Sequence, residues 1–168
     1  IDFKVGDILK DELIDESYDL IFTIRCIINL NNEDLQIKSI KSISKKIKNN
    51  GYFLMLENSN TSYENQNNLR SSVGLDRRVP ADFNHFINDK TLVENLKDYD
   101  LKIMKIENFI SLHDIVLYVL VPLINDGKVD YDHPIVDAAT KLTLSMSDNY
   151  EEPFGDFGQN RLYLFKKV

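Results

Sequence analysis

The stretch Tyr18–Glu57, YDLIFTIRCIINLNNEDLQIKSIKSISKKIKNNGYFLMLE, decides the fold. It opens on a nearly unbroken apolar run, and Leu20–Ile28 reads as a strand buried on both faces, as in a parallel sheet. Asn31 to Asn50 reads as a helix. Asn31 or Asn32 can cap it, and Glu33 and Asp34 suit the positive end of its dipole. Ile37, Ile40, Ile43 and Ile47 recur at helical spacing and make one apolar face. Lys45, Lys46 and Lys48 sit near its end, and Gly51 suits the position just past it. Tyr52–Glu57 is then a second buried strand. Strand, helix and strand joined this closely form a βαβ unit with a right-handed crossover.

Upstream, Ile1–Val5 alternates as a strand does and leads into Gly6-Asp7-Ile8-Leu9 and the acidic stretch Asp11–Ser17. A first residue that is Ile and already lies in a strand suggests missing upstream residues. Downstream, Ser59–Gln66 reads as a polar loop, Asn67–Ser72 as a short helix, and Arg77–Pro80 as a turn or extended stretch. Asp89 can cap a helix running through Leu92 and Leu96 to about Asp98, and Leu101–Ile106 alternates as a half-exposed strand. Ser111 and Asp114 form a pair like a capping box ahead of the apolar stretch Ile115–Ile124. Pro134 opens another helix, with Ile135, Ala138, Ala139 and Leu142 facing inward. Glu151–Gln159 is a loop. Arg161–Lys167 is the last strand, expected antiparallel beside Leu101–Phe109.

The chain of 168 residues suits a single domain over 1–168, with no repeat and no dividing linker. A net charge of -7 argues against a nucleic-acid partner. The single cysteine, Cys26, excludes an intrachain disulfide and suits a reducing compartment; in this setting it reads as a small buried hydrophobe. His85, His113 and His133 lie far apart without ligand spacing, so no metal site is expected. No signal peptide is visible. Ile115–Ile124 is too short to span a bilayer and contains Pro122, so a cytoplasmic protein with no membrane partner is expected.

The order of motifs, GDIL after a strand, then YDLI, then NNGYFLMLE, then a closing strand pair, resembles the third through seventh strands of class I S-adenosylmethionine-dependent methyltransferases. The resemblance covers nearly the whole chain. NNLRSSVGL, YDHP and GQNRLYLFKK also resemble a bacterial group associated with surface-polysaccharide or small-metabolite modification. The implied architecture is a partial Rossmann-like α/β fold: a mainly parallel sheet with an antiparallel terminal strand and a helical insertion over 111–160. The implied function is S-adenosylmethionine-dependent transfer of a methyl group to an oxygen or nitrogen of a small molecule or sugar.

By the resemblance, Asp7 accepts a hydrogen bond from the adenine amine and Ile8 packs on the ring. Thr23, Ile24 and Arg25 face the methionine half of the cofactor. Asp7 could equally begin a turn, and Arg25 could equally meet an internal carboxylate. Glu57 and His85 are candidate acid–base residues near the acceptor. Glu57 could instead bond a loop, and His85 could be structural. The 111–160 insertion is expected to form a lid carrying Tyr118, Tyr131 and His133; packed on the opposite face it would be a candidate homodimer interface. The family's glycine-rich loop has no counterpart here. Without the first two strands of the family's 3-2-1-4-5-7-6 sheet, the strand at Ile1–Val5 has no neighbour and Leu20–Ile28 becomes a bare edge. That absence favours the alternative of a non-catalytic, methyltransferase-like binding or assembly module.

Overall fold

The computed structural model describes residues 2–3, 5–10, 17–96, 99–147 and 154–168. The expected acidic stretch over 11–16, the helix end at 97–98 and the start of the 151–159 loop lie outside the described residues. The chain divides into two compact units. The first comprises Ile1–Glu57, Ala81–Ile106 and Leu162–Val168; the second comprises Asn58–Pro80 and Glu107–Arg161.

The sheet has four strands in the order β1-β2-β4-β3, with β1 at Tyr18–Ile24, β2 at Ile47–Asn58, β3 at Leu101–Asn108 and β4 at Asn160–Lys167. β1 and β2 pair in parallel, Leu20 against Tyr52 through Ile24 against Leu56. The Ser59 amide donates to the Gln159 carbonyl at the end of β2, and the Val168 amide donates to the Asp100 carbonyl at the start of β3. β4 therefore runs opposite to both neighbours, which is the antiparallel closing strand the sequence predicts.

In the first unit, α1 (Glu33–Ser44) begins where Asn32 accepts from the Leu35 amide at 2.9 Å. It ends before Ile47, which belongs to β2 rather than to the helix. Inside β2, Asn50 takes φ 67° where the register against β1 shifts, and Gly51 serves the strand, not the helix end. A Cβ on Gly51 would lie 3.0 Å from the Asp19 carbonyl and closer still to Ile47 and Lys48, so the β1–β2 junction requires glycine there. Asn88, not Asp89, takes the capping role for α3 (Asp89–Leu96), accepting from the Thr91 amide at 3.3 Å. The core joins Ile40 and Ile43 of α1 and Leu92 and Leu96 of α3 to Phe53, Met55, Tyr163 and Phe165 of the sheet. The Phe53 and Phe165 rings stack with centroids 5.4 Å apart.

Two expectations at the N-terminal side are corrected. Asp2, Phe3 and Val5 are in no strand, and Phe3 and Val5 are fully exposed; Ile1 and Lys4 lie outside the described residues. A strand with no neighbour has no ladder to join. β1 stops at Ile24 instead of Ile28, and it is not buried on both faces: Leu20, Phe22 and Ile24 are exposed on one side, as a bare edge strand would be.

In the second unit, the expected loop Ser59–Gln66 is helical: α2 spans Asn60–Ser72, with Ser59 accepting from the Ser62 amide. A continuous helix runs through α4 (Leu112–Ile115), a π-helical turn (Val116–Leu120) and α5 (Val121–Ile124). Pro122 explains the irregularity. It has no N–H to give and its ring crowds the carbonyl four residues back, that of Tyr118. That carbonyl instead accepts from the Arg70 guanidinium. α6 (Pro134–Ser147) turns Val136 and Ala139 inward against Val116, Leu117 and Val121; Ala138 and Leu142 are exposed, not inward as expected.

Candidate functional site

In the first unit, the geometry concentrates at the C-terminal end of β1. Arg25 leaves the strand at φ 48°, an uncommon conformation for a residue with a side chain. Its amide still donates to the Leu56 carbonyl at 2.8 Å. The chain then makes a 3-10 turn at Ile27–Asn29 that carries Ile27 and Ile28 into the core. The turn throws Cys26 outward, so the expected buried cysteine is exposed. Arg25 is exposed as well, so the desolvation cost that would require an internal carboxylate partner does not arise.

Glu57 holds this turn. Its Oε1 accepts from the Cys26 and Ile27 amides, each at 3.0 Å, and its Oε2 accepts from the Ile28 amide at 3.3 Å. The Thr23 hydroxyl lies 3.5 Å from Oε1. The carboxylate is wholly buried. Burial raises its pKa, and the three amides and Thr23 pull it back down. Burial, then the Glu57 charge, raises the Cys26 thiol pKa, so this cysteine is not an activated thiolate.

His85 borders the same turn. Its amide donates to the Ile28 carbonyl at 2.7 Å, and its carbonyl accepts from the Gln36 side chain at 2.5 Å. Its half-buried imidazole has no bonded partner among the described residues. Thr23, Ile24, Arg25, Glu57 and His85 are thus brought together around the Cys26–Asn29 turn.

Asp7 and Ile8 behave differently from each other. Asp7 Oδ1 accepts from the Leu9 amide at 2.9 Å, and Oδ2 lies 3.6 Å from Lys10, so the carboxylate organises a turn and remains half exposed. Ile8 lines an apolar cavity of about 230 Å3 together with Thr23, Tyr18, Ile21 and Ile43. The cavity is apolar and open, and Ser42 of α1 and Lys46 just past it also line it. It falls below the usual volume of a complete ligand pocket, so it suits a ring and not a whole cofactor.

The second unit buries a polar network. Ser62, Gln66, Asn67 and Arg70 lie on one stripe of α2 and are almost fully buried. Asn67 clamps the backbone of Arg78, accepting from its amide at 2.8 Å and donating to its carbonyl at 3.1 Å. The Arg78 guanidinium lies 3.6 Å from the centroid of the Tyr118 ring and 5.5 Å from that of Tyr63, and it donates to Gln66 Oε1 at 2.6 Å. Arg161 pairs with Asp156 at 2.6 Å. Ser111 and Asp114 do not box the start of α4: the Ser111 hydroxyl accepts from the Phe157 and Gly158 amides, and Asp114 accepts from the Gln159 amide at 2.7 Å. Asp114 also holds His113 at 3.0 Å and raises its pKa. His133 Nδ1 accepts from the Ile135 amide at 3.2 Å, a structural role at the start of α6. The tyrosine–arginine cluster escapes sequence reasoning because its helix has no apolar period. The signal available was a polar stripe, Ser59, Ser62, Gln66, Asn67 and Arg70, at the same spacing. Among the described residues no group of His, Cys, Asp and Glu could hold a metal ion.

The β1-β2-β4-β3 order reproduces the last four strands of the resemblance, 4-5-7-6. A methyltransferase from Clostridium acetobutylicum, S-adenosylmethionine-dependent, superposes with TM-score 0.55 at 14% identity, over 98% of this chain and 63% of that one. The chain has the fold of the S-adenosylmethionine-dependent methyltransferases. One from Archaeoglobus fulgidus matches with TM-score 0.54 at 14% identity, over 96% of this chain and 66% of that one. The [4+2]-cyclase SpnF matches with TM-score 0.50 at 13% identity, over 99% and 55%. The chain spans less than two thirds of the length of these methyltransferase-fold structures. No family model and no curated protein sequence matches it. Among the described residues no helix is long and apolar enough to cross a membrane.

Proposed function

We propose that this chain belongs to an enzyme that transfers a methyl group from S-adenosylmethionine to an oxygen or nitrogen of a small molecule or sugar. The observation that carries the reading is the Cys26–Asn29 turn at the end of β1, on a sheet of methyltransferase order, with Thr23, Ile24, Arg25 and His85 around it. Bound there, the cofactor would supply an electrophilic methyl group. Ile8 would pack on the adenine ring, Asp7 would accept from its exocyclic amine, and Thr23, Ile24 and Arg25 would border the methionine end. Arg25 offers a planar cation to a carboxylate, and its position is fixed by the backbone bond to Leu56.

The chain's own contribution to rate is alignment and exclusion of water. Glu57 acts as a positioning residue: its oxygens are occupied by the turn that presents Thr23 to Arg25. His85, whose imidazole is free of partners among the described residues, is the group that would take a proton from a hydroxyl acceptor. Fold alone does not fix this reaction, as the cyclase neighbour illustrates. Calorimetric titration of the protein with S-adenosylhomocysteine is the test. Binding that Asp7→Ala weakens by roughly 1–3 kcal/mol supports the reading. No binding by the wild type favours a non-catalytic module, and binding indifferent to Asp7 removes the adenine assignment.

A further inference from the structure

Among the described residues, Arg78 is built into place without a paired counter-charge. Its backbone is clamped in both directions by Asn67, its Nη1 donates to Gln66, and its guanidinium lies over the Tyr118 ring and, at longer range, the Tyr63 ring. Its Nε and Nη2 have no bonded partner among the described residues, and no described carboxylate lies within ion-pair distance. Of the nearby acids, Glu64 pairs with Arg77 and Asp156 with Arg161, while Asp76 offsets part of the charge on Arg70 and not that on Arg78.

Arg70 adds to the imbalance. It is almost fully buried and donates only to backbone carbonyls, those of Asp76 and Tyr118. Burial, then the charge on Arg78, pushes its pKa below the usual arginine value. Two guanidinium groups thus share a small region of a chain whose net charge is -7. Holding them together is unfavourable unless something negative relieves it. Tyr118 sits in the π-helical turn of Val116–Leu120, an irregularity that recurs at functional sites. Its hydroxyl lies 3.4 Å from that of Tyr131.

We propose that Arg78, lying over Tyr118 and, at longer range, Tyr63, is the oxyanion-binding site of the second unit, recognising a carboxylate or phosphate group on a small molecule. A planar guanidinium with two free N–H directions matches either anion bidentately, and the rings fix its plane before the ligand arrives. The site stands on the second unit alone; its assignment to the methyl acceptor rests on the methyl-transfer reading.

The test is a titration of the 15N-labelled protein, at constant ionic strength, with inorganic phosphate and separately with acetate, following the arginine Nε–Hε resonances. A saturable shift at Arg78, with a Kd of about 1–10 mM, is expected for one of the two and identifies the anion. Arg77, exposed and paired with Glu64, should not move. Arg78→Lys keeps the charge and loses the fork, so it should bind about tenfold more weakly. No saturable shift at Arg78 with either anion, or an equal shift at Arg77, overturns the site. The wild-type measurement decides this even where a variant fails to fold. No S-adenosylmethionine is needed, so anion binding alongside failed S-adenosylhomocysteine binding overturns only the acceptor assignment.

Discussion

The two units bury different chemistry. The first packs α1 and α3 on the sheet through isoleucine, leucine and aromatic side chains. The second also has a small apolar cluster, but the inward stripe of α2 is serine, glutamine, asparagine and arginine. An apolar core gains free energy from area and tolerates approximate fit. A buried polar network is favourable only when each member has its partner, and each loss leaves another group unpaired. The first unit should therefore respond to volume, the second to the identity of single donors and acceptors.

The largest expected effect lies in the first unit. Phe53→Ala removes a fully buried ring stacked on Phe165 and should cost about 3–5 kcal/mol in urea unfolding. Phe53→Leu should recover most of it. If the leucine variant were as damaged as the alanine one, the core would be governed by ring stacking and not by volume.

Next comes the clamp in the second unit. Asn67→Ala leaves the Arg78 amide and carbonyl without their partner and should cost roughly 1–3 kcal/mol. Asn67→Leu, which restores bulk without polarity, should not recover it. Recovery by leucine in the same urea assay would erase the contrast between the units.

What could be read from sequence follows the same division. Leu20–Ile24, Ile40, Ile43 and Tyr52–Glu57 carry periods that only a βαβ unit satisfies, and the antiparallel last strand was legible beside Leu101. The boundaries were not. Ile47 continues the helical period of Ile37, Ile40 and Ile43, yet pairing with Tyr18 takes it into β2. Of the candidate site residues, Thr23, Ile24, Arg25, Glu57 and His85 lie around one turn, but Glu57 at a strand end cannot reveal that the turn after β1 folds onto its oxygens. Arg78 was invisible, because a stripe of Ser, Gln and Asn looks like a solvated loop until a guanidinium occupies it.

Glu57 is the polar exception inside the apolar unit, and its titration sharpens the comparison. Its folded pKa is raised, chiefly by burial, so the folded state holds the proton more tightly than the unfolded chain does. Stability from this group is complete below the ordinary glutamate value and is lost as pH rises through the raised folded value. Glu57 should therefore contribute a negative slope of at most about 1.4 kcal/mol per pH unit over that window. Urea unfolding of wild type and Glu57→Gln from pH 4 to pH 7 reads the difference. A slope unchanged in the variant would mean that the three amides and Thr23 cancel burial, and a more positive wild-type slope would mean that they outweigh it.

The smallest effect compares helix starts. Asn32 caps α1 from an exposed position, with the Leu35 amide at 2.9 Å. Ser59 caps α2 while fully buried, with the Ser62 amide at 3.4 Å, and its own amide donates to the Gln159 carbonyl. Water can replace the lost side chain in Asn32→Ala, so the cost should sit near ~0.5–1 kcal/mol. Water cannot reach the Ser62 amide so readily, so Ser59→Ala should cost up to about 2 kcal/mol despite its longer bond. Glycine at each position separates the cap from the backbone: Asn32→Gly should be milder than Asn32→Ala, because glycine leaves the first-turn amides open to solvent. Ser59→Gly should gain no such relief. Equal costs at both caps in urea unfolding would show that burial of the second unit's polar stripe does not set its sensitivity, and the contrast between the units would then rest on Asn67 alone.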